Sequence, residues 1–151
     1  MRAARPPGSG RLAYRLESVA VNVLVISADP AVRETMALCV GGVRRLAGED
    51  EVILFEAADG VEGMSRAWQE RPDVVGADEI TSRAGAFAVA RDLKGSLPPF
   101  EGRVVILLDR AQDAWLARWS GADAWFTKPV NPFELAETIA GFRSQARKEA
   151  V

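Results

Sequence analysis

The sequence predicts an α/β fold of the doubly wound kind, a five-stranded parallel sheet with helices on both faces. Short apolar runs recur five times, around residues 21–26, 52–55, 73–77, 104–108 and 124–127, and the first four are nearly continuous, as strands buried on both faces require. Between and after these runs lie stretches whose apolar residues repeat at helical spacing. Parallel strands need crossover connections, so five βα units in succession imply a parallel sheet covered on both sides.

Each element carries its own signals. Val21, Val23, Leu24, Val25 and Ile26 form the first strand. A helix follows from Pro30 with Asp29 as N-cap, and Val32, Met36, Cys39, Val40 and Val43 mark its buried face. The second strand is Val52-Ile53-Leu54-Phe55; Asp59-Gly60 then opens a helix expected to bury Val61, Met64 and Trp68. Pro72 stops that helix, and Asp73 to Ala77 gives strand three. A weaker helix over 84–94 uses Phe87, Ala90 and Leu93 before Pro98-Pro99 breaks the chain. Val104 to Leu108 is the clearest strand. A helix over 111–120 carries Trp115, Leu116 and Trp119 and ends at Gly121, a C-terminal cap. Strand five, Ala124 to Thr127, leads to a helix with Asn131 as N-cap, Pro132 first in the helix and Glu134 as capping-box partner. Val130 and Leu135 fall at staple positions, and Leu135, Ile139 and Phe142 form the inward stripe.

Composition narrows the function classes. At 151 residues the chain suits one domain, and 48% apolar with 26% charged residues is ordinary for a globular protein. A net charge of −2 gives no basic excess for a nucleic-acid partner, and no segment is long enough to span a membrane. The absence of histidine removes His-based acid–base catalysis, His metal sites and phosphohistidine chemistry. The single cysteine, Cys39, cannot form an internal disulfide and lies in a helical stripe, so it is expected to be a small buried hydrophobe. With no signal-peptide run, a cytoplasmic location is expected. Residues 1–18, with Pro6, Pro7, Gly8, Gly10 and four arginines, are expected to form a disordered tail; the other reading is a basic arm that touches something anionic.

In open parallel sheets, ligands sit beyond the carboxyl ends of the strands. The segments to inspect are therefore Ser27-Ala28-Asp29, Asp78-Glu79, Leu108-Asp109 and Thr127-Lys128-Pro129. Two of these end in specific motifs, Pro72-Asp73-Val74-Val75-Gly76-Ala77-Asp78 and Gly121-Ala122-Asp123-Ala124-Trp125-Phe126-Thr127-Lys128-Pro129.

Those motifs resemble the receiver domains of two-component response regulators, over roughly residues 21–146. The resemblance implies a flavodoxin-like (βα)5 fold with strand order 2-1-3-4-5, a receiver-like domain over 19–147 and a C-terminal tail at 148–151. It places Asp78 at the phosphoacceptor position and Lys128 at the phosphate-contacting position, with a cis bond to Pro129. It puts the switch positions at Leu108 and Trp125.

The chain departs from the family pattern at three points. Ser27 and Ala28 stand where the family carries an acidic pair that binds Mg²⁺. Leu108 replaces a small hydroxyl residue. The loops after Asp78 and after strand four are slightly shorter than typical. Phosphoryl transfer to a carboxylate depends on charge neutralisation by Mg²⁺ and lysine. With Ser27 and Ala28 in the acidic slots, no metal or other cofactor is expected and Asp78 pairs simply with Lys128. If the register slips by one residue, Asp29 joins Asp78 as a residual Mg²⁺ ligand and a histidine kinase phosphorylates Asp78. Glu79 adjoins Asp78 but alternation directs it to the opposite side.

The expected function is that of an atypical, stand-alone receiver that signals as a protein-interaction module without obligatory phosphorylation and is not an enzyme. Its expected partners are proteins, either a histidine kinase or a signalling or output protein, with a homodimer through helix 4, strand 5 and helix 5 as a further expectation. Trp115, Trp119 and Trp125 are the interface candidates, because tryptophan is enriched at binding hot spots; the plainer reading buries one of Trp115 and Trp119 in the core. A flavodoxin-like nucleotide or flavin binder is disfavoured, since the loop after strand one lacks a glycine-rich phosphate cradle.

Overall fold

Five parallel strands, in the spatial order β2-β1-β3-β4-β5, form the sheet of the computed structural model, which describes residues 20–48 and 51–150. Along the chain these are β1 (Ala20–Ile26), α1 (Pro30–Ala47), β2 (Glu51–Ala57), α2 (Gly60–Glu70), β3 (Val74–Asp78), α3 (Ala86–Gly95), β4 (Arg103–Leu108), a 3-10 turn (Ala111–Asp113), α4 (Ala114–Trp119), β5 (Ala124–Thr127) and α5 (Pro132–Ala150). The parallel pairing is what the βα alternation predicts, and the strand order is the one the family resemblance implies. The tail expected over residues 1–18 lies outside the described residues. At the other end α5 runs on through Ala150, past the boundary expected at 147.

Period-two alternation divides the strands between two cores. Leu24, Ile26, Val75, Ala77, Ile106 and Leu108 point to one face, covered by α2, α3 and α4 through Ala67, Val89, Leu93 and Ala117. Val21, Val23, Val25, Val105 and Leu107 point to the other, covered by α1 and α5 through Met36, Cys39, Val43, Leu135 and Ile139. Cys39 is buried there, and burial pushes its thiol up to about 12, which keeps it protonated and unreactive.

The caps follow the sequence closely. The Asp29 carboxylate accepts from the Ala31 N–H at 2.9 Å, and Asn131 Oδ1 accepts from the Phe133 N–H at 2.8 Å, so each starts its helix. Gly121 adopts φ +86° after α4. There the Ala122 N–H bonds the Ala117 carbonyl and the Gly121 N–H bonds that of Arg118, a Schellman arrangement that glycine favours.

Three expectations need correction. β3 is Val74–Asp78, one residue later than predicted, so Asp78 is the last strand residue and lies between its neighbours. The 111–120 helix divides into a 3-10 turn and a six-residue α-helix. The buried face of α2 is Gly60, Gly63 and Ala67, while Val61 is exposed and Met64 and Trp68 are half-buried on its flank. The reason is close approach. A Cβ on Gly63 would sit 2.3 Å from Ile26 Cδ1, so the helix meets the sheet along its smallest residues. Gly63→Ala is therefore expected to lower stability by about 1–2 kcal/mol, because overpacking against a stiff β-branched side chain outweighs alanine's better helix propensity. Urea unfolding of the two proteins measures the difference.

Candidate functional site

Strand register brings the ends of β1, β3 and β5 to one edge, where Ser27, Asp78 and Lys128 meet. Asp78 is 1% exposed and Ser27 is fully buried. Both carboxylate oxygens of Asp78 are engaged. Oδ2 accepts the Ser27 hydroxyl at 2.7 Å, while Oδ1 accepts the Lys128 ammonium and the Ile80 N–H, the latter at 3.2 Å. The Ser27 hydroxyl oxygen in turn accepts the Asp29 N–H at 3.0 Å. A serine in this slot thus supplies the donor that a buried carboxylate needs, where an acidic residue would supply a second negative charge.

Lys128 Nζ also lies 3.9 Å from Asp109 Oδ1, and the Lys128–Pro129 bond is cis. The Lys128 N–H bonds the Leu108 carbonyl at 2.9 Å, which fixes the start of the lysine at the sheet edge. A cleft of about 350 Å³ opens beside it, lined by Asp29, Val32, Leu107, Asp109, Lys128 and Val130 among others.

The other predicted site residues lie around this centre without joining it. Ala28 is exposed on the rim. Asp29 is exposed too, and its Oδ1 is used in capping α1. Leu108 is fully buried, in the core against which half-buried Trp125 packs. The Arg118 guanidinium stands 5.6 Å from the Trp125 ring centre. Trp115 and Trp119 are 63% and 55% exposed, so neither enters the core; Ala117 takes the inward position between them. Arg91 of α3 stacks 4.3 Å from the Trp119 ring and donates to the Trp119 carbonyl at 3.2 Å.

Several contacts at this edge and the opposite one escaped sequence reasoning. Arg33 Nε donates to the Ser27 carbonyl at 2.9 Å, and its Nη1 lies 3.7 Å from Glu56 Oε2, which places a guanidinium beside the end of β1. Glu79 reaches the β4–α4 connection, where its Oε1 accepts the Asp109 N–H at 2.8 Å. Burial, and then the neighbouring Asp113 carboxyl, push the Glu79 carboxyl above its usual range. The two motif aspartates outside the site are structural. Asp73 Oδ2 accepts the Asn22 N–H at 2.8 Å, and Asp123 Oδ2 accepts the Val104 N–H at 2.7 Å while also meeting Lys94 at 2.6 Å. Both bond a backbone N–H at the amino edge of the sheet, and their motif spacing was the only signal for them.

No protein-family model matches the chain. Among proteins similar in sequence, an uncharacterised response regulatory protein of Mycobacterium tuberculosis is 29% identical over 126 residues, covering 81% of this chain and 90% of that protein. The response regulator MprA of the same organism is 28% identical over 130 residues, covering 86% of this chain but only 52% of that longer protein. Solved structures show the same fold. A putative response regulator from Chloroflexus aurantiacus has a TM-score of 0.69 at 19% identity, covering 83% of this chain and 98% of that one. The chemotaxis response regulator CheY4 of Vibrio cholerae has a TM-score of 0.66 at 22% identity, covering 82% and 98%. In sequence this chain is similar to response regulators, and its fold is that of their receiver domains.

Proposed function

We propose that this receiver works as a protein-interaction module whose output does not require phosphorylation of Asp78. The observation that carries this reading is the saturation of the Asp78 carboxylate by Ser27, Lys128 and the Ile80 N–H. A Mg²⁺ ion needs near-octahedral oxygen ligation with one or two carboxylates. Here the rim offers Ala28, Asp29 is turned to its helix cap, and among the described residues no group of three or more His, Cys, Asp or Glu side chains could hold a metal. The residues present do not fit Mg²⁺. Leu108, fully buried, has no hydroxyl to contact a phosphoryl oxygen. The surface formed by α4, β5 and α5 is the proposed contact face; Trp115 and Trp119 of α4 are exposed, and half-buried Trp125 belongs to β5. Its partner is a kinase, an output protein or a second copy of the chain.

Incubation with a small phosphodonor such as acetyl phosphate and Mg²⁺ tests this, with the product followed by intact-mass spectrometry under conditions that preserve acyl phosphates. The expected result is no adduct. An 80-dalton adduct of about one phosphoryl group that disappears in Asp78→Asn would overturn the reading in favour of Mg²⁺-dependent phosphorylation with Asp29 as residual ligand.

A further inference from the structure

We infer that Glu79 is a latch that holds the β4–α4 connection against the end of β3 and thereby fixes where α4 presents Trp115 and Trp119. The Glu79 N–H bonds the Leu107 carbonyl at 2.9 Å, which carries the β3–β4 pairing one residue beyond the strand. Its side chain then reaches past Leu108 to the Asp109 N–H, 2.8 Å from Oε1. Glu79 therefore grips β4 on both sides of the strand's last residue.

What lies beyond makes the grip consequential. Only Asp109 and Arg110 separate β4 from the 3-10 turn Ala111–Asp113. A residue spans at most about 3.3–3.6 Å, so a held Asp109 leaves the start of the turn little freedom. The Asp113 N–H bonds the Arg110 carbonyl at 3.1 Å, and the buried Asp113 carboxylate meets the Arg110 guanidinium at 3.4 Å. The Asp113 carboxyl also lies alongside that of Glu79. The turn is thus fixed at both ends, by Glu79 before it and by Ala117 packed in the core after it.

The latch is adjacent in sequence to Asp78. Asp78 ties β3 to β1 through Ser27 and to β5 through Lys128, while Glu79 ties β3 to the segment that leads into α4. A change in what Asp78 binds is therefore one peptide unit from the contact that positions the exposed tryptophans. Without Glu79 the Asp109 N–H loses its carboxylate acceptor, the kind of partner that makes the stronger hydrogen bonds.

Hydrogen exchange by mass spectrometry on the full chain tests this with Glu79→Ala and Glu79→Gln. In Glu79→Ala, exchange in peptides covering 109–119 is expected to rise roughly five- to tenfold, with peptides from β1, β3, α1 and α5 unchanged. In Glu79→Gln, whose amide oxygen can still accept the Asp109 N–H, protection over 109–119 is expected to stay near the wild-type level. No rise over 109–119 in the alanine variant overturns the latch. So does a rise spread evenly over every peptide, which would mean loss of global stability alone, or a glutamine variant that exchanges as fast as the alanine one.

Discussion

The double variant Ser27→Asp/Ala28→Asp is expected to bind Mg²⁺ at least tenfold more tightly than the natural chain, a gain of about 1.4 kcal/mol or more. Ala28 is on the solvent side of the rim, so a carboxylate there is hydrated and costs the fold little. Ser27 is different. Its hydroxyl donates to Asp78 at 2.7 Å, and an aspartate in its place sets a second negative charge against a buried carboxylate. Without a cation that pair repels, and the variant should be less stable than wild type in metal-free buffer. A divalent ion that bridges the two carboxylates restores the loss. Ligand binding to the native state alone adds about 2.7 kcal/mol at one hundred times Kd, so the variant's Tm should climb steeply with Mg²⁺. The wild-type Tm should stay flat over the same range. Isothermal titration and thermal melts at several Mg²⁺ concentrations read both effects. A wild-type chain that binds as tightly as the variant would mean that Asp78 is open to metal despite its three partners, and the account of the site would fail with it.

That prediction can be framed because so much of the site was legible in sequence, and the reasons differ from residue to residue. Asp78 and Lys128 were placed by motifs that fix a strand end and a loop in register, and the two side chains do meet. Ser27 was identified as a lost acid, but its positive role was not. That a hydroxyl would donate to Asp78 while accepting the Asp29 N–H depends on how β1 and β3 align, which spacing alone does not report. Alternation directs Glu79 to the side opposite Asp78, but its partner is a backbone N–H thirty positions away, invisible to any local pattern. Arg33 was unremarked for the same reason.

At the level of the fold, apolar periodicity succeeded where burial is done by large side chains and failed where it is done by small ones. In α1 four of the five predicted stripe residues, Val32, Met36, Cys39 and Val43, are buried, and Val40 is partly so. In α2 a count of large apolar residues pointed to Val61, but the packing requirement is the absence of a side chain at Gly63. In α4 the tryptophans suggested an inward-facing residue, while the helix is so short that Ala117 is its only buried one. Exposed tryptophan on a short helix is itself the information the sequence lacked, since a core needs no explanation and such a surface does.

Replacing Lys128 with methionine is expected to destabilise the fold by roughly 3 kcal/mol, among the largest effects of any single change at this edge. The lysine side chain is only one-fifth exposed and Asp78 is almost wholly buried, so removing the ammonium leaves a charge with poor access to water. The Ser27 hydroxyl and the Ile80 N–H remain as donors, which is why the cost falls at the lower end of the range of about 3–5 kcal/mol for a broken buried pair. The penalty belongs to the stranded carboxylate rather than to any net gain from the ion pair. Asp78→Asn alone should therefore cost less than Lys128→Met alone, because an amide keeps its hydrogen bonds at Ser27 without a buried negative charge. The combined variant should recover most of the loss, with a coupling energy of roughly 1–3 kcal/mol in a double-mutant cycle measured by urea unfolding. Strict additivity of the two changes would show that Lys128 and Asp78 stabilise the domain independently. The pair would then be a surface contact in energetic terms, and the saturated carboxylate could no longer support the proposal that Asp78 is withheld from metal and phosphodonor.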